Sequence, residues 1–376
     1  MNHIWSSCVQ FYKRTDRWLL FFCLACSVFS AFLLWGIYLS GYIKLRVFLV
    51  QLFATALGFF GACFLSGFDY RELAGLWKIY LPVAGGLVFL TYFIGKQRYS
   101  YIDDRAWLEI PFLGLSLQPS EILKLAFIFS FALHLEKVRE SINQPRTLAL
   151  LCAHGAVPTL MIVAQGDHGT AMVFVAIFAS MLFTAGLHPG YILAAGGTAA
   201  AVSPLVWFFI LDDDKRGRIL TILNPELDPS GVGWQQSLGM TAIGSGQIWG
   251  KGVLTGEHQY VPEMHNDFIF AFAGEALGFV GCVAIMLLLG IICIKLLLDA
   301  RRSRDPLGRY ICTGVFGMIA FQTFWGIGMC LSMLPVAGLT LPFFSAGGTS
   351  VVLTWLGIGM VLGVHRHSFS GLFEEV

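Results

Sequence analysis

Residues 268–298 read FIFAFAGEALGFVGCVAIMLLLGIICIKLLL, an apolar run whose only charged residues are Glu275 and Lys295. A helix crosses the bilayer core with about 20 apolar residues, so this run is longer than one crossing requires. Its length and composition are typical of a transmembrane helix, which satisfies its backbone groups internally where no water is present. We therefore expect lipid to be the solvent for this part of the chain.

The composition extends this expectation to the whole chain. Apolar residues make up 56% of the 376 positions and charged residues only 12%, about half of the roughly 25% that soluble proteins carry. So few charges do not cover the surface of a soluble protein of this length. The net charge of +1 also argues against a general nucleic-acid binder.

The apolar segments predict an all-α, polytopic integral membrane protein with about ten transmembrane helices. One long extracytoplasmic loop, 212–266, separates helices seven and eight, and a short interfacial helix is expected within it at 234–248. The chain shows no internal repeat and no low-complexity linker, so we expect a single domain over 1–376. The predicted spans are 19–39, 47–65, 79–94, 122–135, 148–164, 170–185, 191–211, 268–298, 310–334 and 342–364.

The basic residues set the expected orientation. With the N-terminus inside, the inner segments carry 14 Lys and Arg residues and the short outer segments carry 6. The positive-inside rule then places both termini in the cytoplasm. The first apolar run has no small-residue cleavage site after it, so it is expected to act as a signal anchor. Cys23 and Cys26 have redox-like spacing but stand in an apolar run, which favours a packing role.

Two polar clusters stand at the outer ends of predicted spans four and six. Glu121 and Lys124 follow Gln118-Pro119-Ser120 at the start of span four, and their i,i+3 spacing allows them to pair. The pair either anchors the helix end or holds the lysine in a cavity for an anionic group. Asp167 lies in the turn Gln165–Thr170, where Asp beside Gly is an ordinary turn residue or part of a site.

Two further clusters surround the long loop. Lys215, Arg216 and Arg218 suit either lipid headgroups or a pyrophosphate, since Arg grips phosphate oxygens with a bidentate fork. Asp267 stands where the 268–298 run begins. It is either the N-cap of that helix or a carboxylate whose apolar surroundings suit it to act as a general base. Glu275, about two turns deeper, serves a site or bonds a neighbouring helix.

These clusters, in this order, resemble the SEDS family (shape, elongation, division and sporulation). The departures from the family pattern are Gly166 for Pro, Asn266 for Thr, Ala276 for the second Glu of a pair, and Ala346 for Tyr. The matching residues are Arg105 and Trp107, then Gln118–Glu121 with Lys124, then Gln165, Asp167, Gly169 and Thr170, then Pro262–Phe270, and finally Leu341–Ser350.

The resemblance implies a peptidoglycan glycosyltransferase that polymerises lipid II, with undecaprenyl pyrophosphate as leaving group. It implies Asp267 as the catalytic residue, a possible divalent cation (Mg or Mn) with Asp267 and Asp167 as candidate ligands, and a class B penicillin-binding protein as partner. It also implies a bacterial inner (plasma) membrane location with the site facing outward. The residues expected to contact substrate are Lys124, Glu121, Arg105, Trp107, Lys215, Arg216, Arg218, Asp167, His265 and Ser345.

Three alternatives remain at this point. The elongation and division branches of the family share these motifs, and the elongation branch is the closer match. A lipid II flippase would need the same lipid and many of the same charges, but it needs no base at one helix end. A purely scaffolding subunit would need none of the acidic and basic motif residues.

Overall fold

The computed structural model describes residues 15–96, 105–110, 115–223 and 231–369. This part of the chain is almost entirely helical, as its apolar runs predict. A single short hairpin pairs strands β1 (Leu108–Ile110) and β2 (Leu115–Leu117) in antiparallel register, with Glu109 opposite Ser116. The helices are α1 (Arg17–Leu39), α2 (Leu45–Leu65), α3 (Tyr70–Gly75), α4 (Trp77–Ile94), α5 (Pro119–Lys137), α6 (Pro145–Ala164), α7 (His168–Thr184), α8 (Pro189–Leu205), α9 (Asp213–Leu223), α10 (Val232–Ser245), α11 (Ile269–Arg302), α12 (Pro306–Cys330) and α13 (Gly348–Phe369).

Each of the ten predicted spans overlaps one of these helices, but the predicted end of the ninth span, residue 334, is wrong, because α12 ends at Cys330. Among the described residues, 8 helices are long and apolar enough to cross a membrane. The other two predicted spans are α7, which is apolar but has only 17 residues, and α5, which carries Glu121 and Lys124. The multi-pass architecture expected from hydropathy is therefore confirmed.

The predicted start of the tenth span, residue 342, is wrong. Residues 342–344 form a turn in which Phe343 has a φ of +66°, a left-handed conformation that a helix interior does not contain. Gly348 begins α13 instead. The apolar character of this turn reflects its burial rather than a membrane crossing, because Phe343 and Phe344 are 1% and 0% exposed.

Helix α5 occupies the interior of the bundle and packs against α4, α6, α12 and α13. Fourteen of its 19 residues are buried, whereas α8 has no buried residue among those described. The polar residues of α5 therefore face protein, where an ionic side chain needs a partner of opposite charge. Helix α5 thus holds Glu121 and Lys124, two of the candidate site residues, inside the protein.

The predicted loop 212–266 contains two helices. The helix expected at 234–248 is present as α10, and Trp234 on it is 43% exposed; its interfacial position stays a prediction. Helix α9 was missed because its first turn, Asp213–Arg216, is charged and gives no apolar period. Both helices precede the turn that carries Asp267.

Candidate functional site

Asp267 lies in a turn formed by residues 262–268, which we call the Asp267 turn. The main-chain N–H groups of Asn266 and Phe268 donate to the carbonyl of Glu263 at 2.9 and 3.2 Å. Glu263 has a φ of +57°. These bonds delay the helix, so α11 begins at Ile269 with Phe268 at the N-cap position and no side-chain cap. The capping interpretation of Asp267 is therefore wrong.

A second turn, which includes Ser345, holds the Asp267 turn in place. The Ser345 hydroxyl donates to the carbonyl of Asn266 and accepts from the N–H of Leu341, both at 2.7 Å. The N–H of Ala346 donates to the carbonyl of His265 at 2.8 Å. Ser345 is 1% exposed, so its hydroxyl is committed to protein contacts. Two of the four departures from the family pattern, Asn266 and Ala346, thus lie in the two turns that these bonds join.

The Ser345 bridge gives a testable expectation for stability. Ser345→Ala leaves the buried N–H of Leu341 without its acceptor, which costs about 1–3 kcal/mol. We expect the free energy of unfolding in detergent to fall by that amount. The matched control is Ser203→Ala, because Ser203 is exposed and bonds only within its own helix. Equal unfolding midpoints for the two variants would contradict the bridging role.

The N-terminal ends of α5 and α7 meet at the same end of the bundle. Lys124 Nζ donates to Glu121 Oε1 at 2.9 Å, and their side chains are 1% and 6% exposed. Gln118 Nε2 donates to Asp167 Oδ2 at 3.0 Å. The other oxygen of Asp167 accepts the N–H of Thr170 at 2.8 Å and so caps α7. Two motifs separated by more than 40 residues therefore form one polar cluster, in which Glu121 and Lys124 are buried and Asp167 is half-buried.

One loop, residues 334–341, connects this cluster to Asp267. Gly169, beside Asp167, packs so closely on Ala337 that a Cβ at position 169 would overlap the Ala337 carbonyl oxygen. Gly338 has a φ of +65°, and a Cβ there would lie 3.9 Å from Asp267 Oδ2. The structure thus joins the α5–α7 cluster and the Asp267 turn through adjacent residues of a single loop.

The main chain of Arg105 lies next to residues 165–170, which we call the Asp167 turn. The N–H of Arg105 donates to the carbonyl of Gln165 at 3.3 Å, and Trp107 pairs with Lys96 through two main-chain bonds of 2.8 and 3.3 Å. The segment 105–107 is therefore bonded to Gln165, the first residue of the turn that precedes α7. The Arg105 side chain is exposed there, and its predicted contact with substrate stays a prediction.

The basic run is part of α9, and the side chains of Lys215 and Arg216 already have protein partners. Lys215 Nζ pairs with Asp212 at 2.8 Å. Arg216 donates to the carbonyls of Trp207 and Phe208 at 2.9 and 3.0 Å, at the end of the α8 segment. The side chain of Arg218 lies outside the described residues.

Asp212, directly before α9, carries the charge that pairs with Lys215. The Lys215 ammonium lowers the pKa of Asp212 through its hydrogen bond and its charge, and Arg216 and His168 act in the same direction. Lys215 and Arg216 thus have protein groups as their present partners.

The metal ligands predicted from the sequence do not form a preassembled centre. In the described ranges, the one group of three potential ligand atoms within 4.8 Å of each other belongs to Asp16, Asp299 and His365. Asp299 lies at the C-terminal end of α11, far from Asp267, and Lys295 already pairs with Asp16. Both oxygens of Asp167 accept hydrogen bonds from protein. Asp267 and Asp167 thus do not fit a resident three-ligand metal site.

Burial raises the pKa of Asp167, while the Thr170 N–H and Lys124 act in the opposite direction. Above the pKa of the folded state, the ionised carboxyl lowers the stability of the fold. Below the pKa of the unfolded state, about 3.9, the carboxyl is protonated in both states and this loss disappears. Asp167→Asn keeps the cap and removes the charge. We expect the parental chain to gain stability relative to this variant as the pH falls from about 7 towards 4.

Thermal unfolding of both chains across this pH range measures the difference. The control is Asp69→Asn, because Asp69 also caps a helix by accepting the Arg71 N–H, at 2.9 Å, but does so at the surface. If the stability difference between the parental chain and Asp167→Asn stays constant with pH, ionisation of Asp167 carries no cost in the folded state.

Comparison with known proteins adds to this geometry. The family model for FtsW, RodA and SpoVE, described as cell cycle protein, matches residues 16–370. The Escherichia coli peptidoglycan glycosyltransferase MrdB is 31% identical over 358 residues, and the aligned region covers 94% of this chain and 94% of MrdB. A chain in the structure of a peptidoglycan synthase complex that coordinates polymerization and crosslinking superposes with a TM-score of 0.81 at 28% identity, covering 95% of this chain and 99% of that one. The rod shape determining protein RodA of Thermus thermophilus superposes with a TM-score of 0.70 at 26% identity, covering 94% of this chain and 98% of its own.

Proposed function

The chain belongs to the FtsW, RodA and SpoVE family, and on this premise we propose that it is a peptidoglycan glycosyltransferase. Its substrate is lipid II, which it polymerises into glycan strands during cell-wall elongation. The observation that carries the proposal is a carboxylate, Asp267, fixed in a turn that the loop 334–341 connects to the polar cluster containing the buried Lys124. The proteins that the chain resembles include members of both the rod shape and the FtsW branches, and elongation is the role that we propose.

In the proposed reaction Asp267 acts as general base. It takes the proton from the attacking sugar hydroxyl as the oxygen forms a bond to the anomeric carbon of the donor. The bond from that carbon to the phosphate oxygen breaks, and undecaprenyl pyrophosphate leaves with the electron pair. A positioned base of this kind contributes about 100- to 10,000-fold in rate.

The leaving pyrophosphate needs positive charge where its own charge develops. We assign this role to Lys124, which Glu121 orients, with help from Lys215, Arg216 and Arg218 of α9. Arg216 and Lys215 then exchange their present carbonyl and carboxylate partners for phosphate oxygens. A forked guanidinium contact to phosphate is stronger than its neutral hydrogen bonds to carbonyls.

The remaining predicted site residues have supporting roles. Arg105, Trp107 and His265 contact the substrate sugars or phosphates, whereas Ser345 positions the Asp267 turn. A divalent cation, Mg²⁺ or Mn²⁺, would add positive charge at the pyrophosphate. Because Asp267 belongs to no three-ligand group among the described residues, the protein's contribution to leaving-group stabilisation rests on its cations.

The proposal includes the cellular setting. The chain is one membrane domain of the bacterial inner membrane, with both termini in the cytoplasm and Asp267 facing outward, where exported lipid II is present. Its partner is a class B penicillin-binding protein, a transpeptidase that crosslinks the new strands. This assignment draws on the synthase complex that the chain resembles.

The experiment is a polymerisation assay on the purified protein in lipid vesicles, with and without its cognate transpeptidase. Lipid II is supplied, and glycan length is read on a gel. We expect glycan strands longer than one disaccharide in the presence of the partner. Transfer of lipid II across the bilayer without any polymer would instead favour a flippase, and neither activity would favour a scaffolding subunit.

A further inference from the structure

Helix α11 is broken at Gly278, where φ is +69° and ψ is −161°. The break frees main-chain groups that a continuous helix would pair. Residues 246–252, which we call the inserted loop, supply the missing partners. Its four main-chain bonds to the break are Lys251 N to Glu275 O at 2.9 Å, Gly252 N to Ala276 O at 2.9 Å, Phe279 N to Gln247 O at 2.8 Å and Val280 N to Ile248 O at 3.2 Å.

The inserted loop packs backbone against backbone, which only glycine allows. A Cβ at Gly246 would overlap the carbonyl of Gly274, and a Cβ at Gly250 would overlap the carbonyl of Ala276. The close approach brings the main chain of Lys251 directly to Glu275. The loop is therefore a built part of the helix break rather than a passing connection.

Glu275 fixes this loop through its side chain as well. It is 0% exposed, and its Oε1 accepts Lys251 Nζ at 2.6 Å. Its two oxygens also accept the N–H of Gln259 at 3.0 and 3.1 Å, and His258 Nδ1 lies 3.7 Å from Oε2. One buried carboxylate thus binds the chain at Lys251 and again at Gln259.

We propose that Glu275 is a positioning residue that holds the Asp267 turn in place. Glu275 bonds both ends of the segment 251–259, at Lys251 and at Gln259. The Asp267 turn begins at residue 262, three residues after Gln259. Gln235 of α10 fixes the entry by donating to the carbonyl of Pro262 at 2.8 Å. Glu275 itself stands about two turns into the helix that leaves the turn, so the carboxylate joins the chain before Asp267 to the chain after it. The catalytic consequence rests on the proposed function.

The test uses full-length protein with its transpeptidase partner and two readouts. The variants are Glu275→Gln, Lys251→Met and the double variant. The control is Glu257→Gln, because Glu257 is an exposed carboxylate of the segment 251–259. The first readout separates kcat from KM for lipid II polymerisation. The second is hydrogen–deuterium exchange of main-chain amides in residues 259–268, which needs no activity.

We expect Glu275→Gln to lower kcat by about 10- to 100-fold with KM nearly unchanged, since misplacing a catalytic group costs rate rather than binding. Amide exchange in 259–268 should rise by about 10-fold, because the local opening free energy falls. The double variant should resemble Glu275→Gln, because the effects of directly paired residues are not additive. Glu257→Gln should match the parental protein in both readouts.

Unchanged exchange in Glu275→Gln and Lys251→Met would overturn the proposal, as would a raised KM with unchanged kcat. If Glu275→Gln fails to fold, Lys251→Met decides, because the Lys251 side chain is 39% exposed and its removal leaves no cavity in the core. Faster exchange in a chain whose parental form makes no glycan would support the positioning of the turn and refute the proposed function.

Discussion

Replacing Asp267 with Asn is expected to lower the kcat of lipid II polymerisation by about 100- to 10,000-fold. Asn has the shape of the carboxylate but does not accept a proton from the sugar hydroxyl. The KM for lipid II should change little, because the proton transfer develops in the transition state and not in the ground state. The measurement is the rate of glycan formation at saturating and subsaturating lipid II, with the transpeptidase present.

The fold around Asp267 makes this variant interpretable. The contacts that hold the turn use main-chain atoms, including the Asp267 carbonyl, which accepts from Cys330 Sγ at 3.4 Å, and the Asn266 carbonyl, which accepts from Ser345. Asp267→Asn leaves these main-chain contacts in place, and its unfolding temperature is measured beside the rate so that a loss of fold is distinguished from a loss of the base. Glu257→Gln, an exposed carboxyl in the preceding loop, is the control for loss of one negative charge. A kcat for Asp267→Asn within about tenfold of the parental value would place the base elsewhere.

The second large effect concerns the buried pair of α5. Lys124→Met should lower the free energy of unfolding by about 3–5 kcal/mol, because it leaves the Glu121 carboxylate buried without its counter-charge. Met fills nearly the same volume, so little of this loss comes from a cavity. Thermal unfolding in detergent measures it. The control is Lys96→Met, since Lys96 pairs with Glu109 at the surface, where both side chains are 61% exposed, and such a pair contributes about 0–1 kcal/mol.

The double variant Glu121→Gln with Lys124→Met separates stability from function. Removing both charges ends the burial of an unpaired ion, so most of the lost stability should return. Polymerisation should not return, because the proposed role of Lys124 is to stabilise the charge on the leaving pyrophosphate. If the double variant is stable and keeps parental activity, the pair of Glu121 and Lys124 only stabilises the end of α5 and takes no part in the reaction.

The sequence alone predicted the membrane-spanning helices closely. Hydropathy in a window depends only on neighbouring residues, so the segments that became α1, α2 and α4 were predicted to within two or three residues. The order of the polar motifs was equally visible, and it indicated the family. The errors arose where burial in protein resembles burial in lipid. Phe343 and Phe344 are apolar because they pack inside the bundle, and the sequence does not distinguish the two environments.

Asp267 and Glu121 with Lys124 were identified as candidate residues from their types and spacing. Their partners were not, because a partner is a property of packing rather than of spacing. Ser345 was expected to contact substrate, yet its hydroxyl bridges Asn266, which is 79 residues away in the chain. Glu275 was expected to serve a site or to bond a neighbouring helix, and the structure supplies its partners, Lys251 and Gln259 of the preceding loop.

The sequence by itself therefore determined that this is a membrane protein, where its helices lie, and which reactive side chains stand at a few helix ends. Composition and period fix these properties, since each depends on residues within one or two turns. Only the tertiary structure decided that the Asp267 turn begins before its helix, that α11 breaks at Gly278, and that one loop joins Asp267 to the α5–α7 cluster. These features arise from main-chain bonds and close backbone packing between distant segments, whose free energy depends on three-dimensional fit.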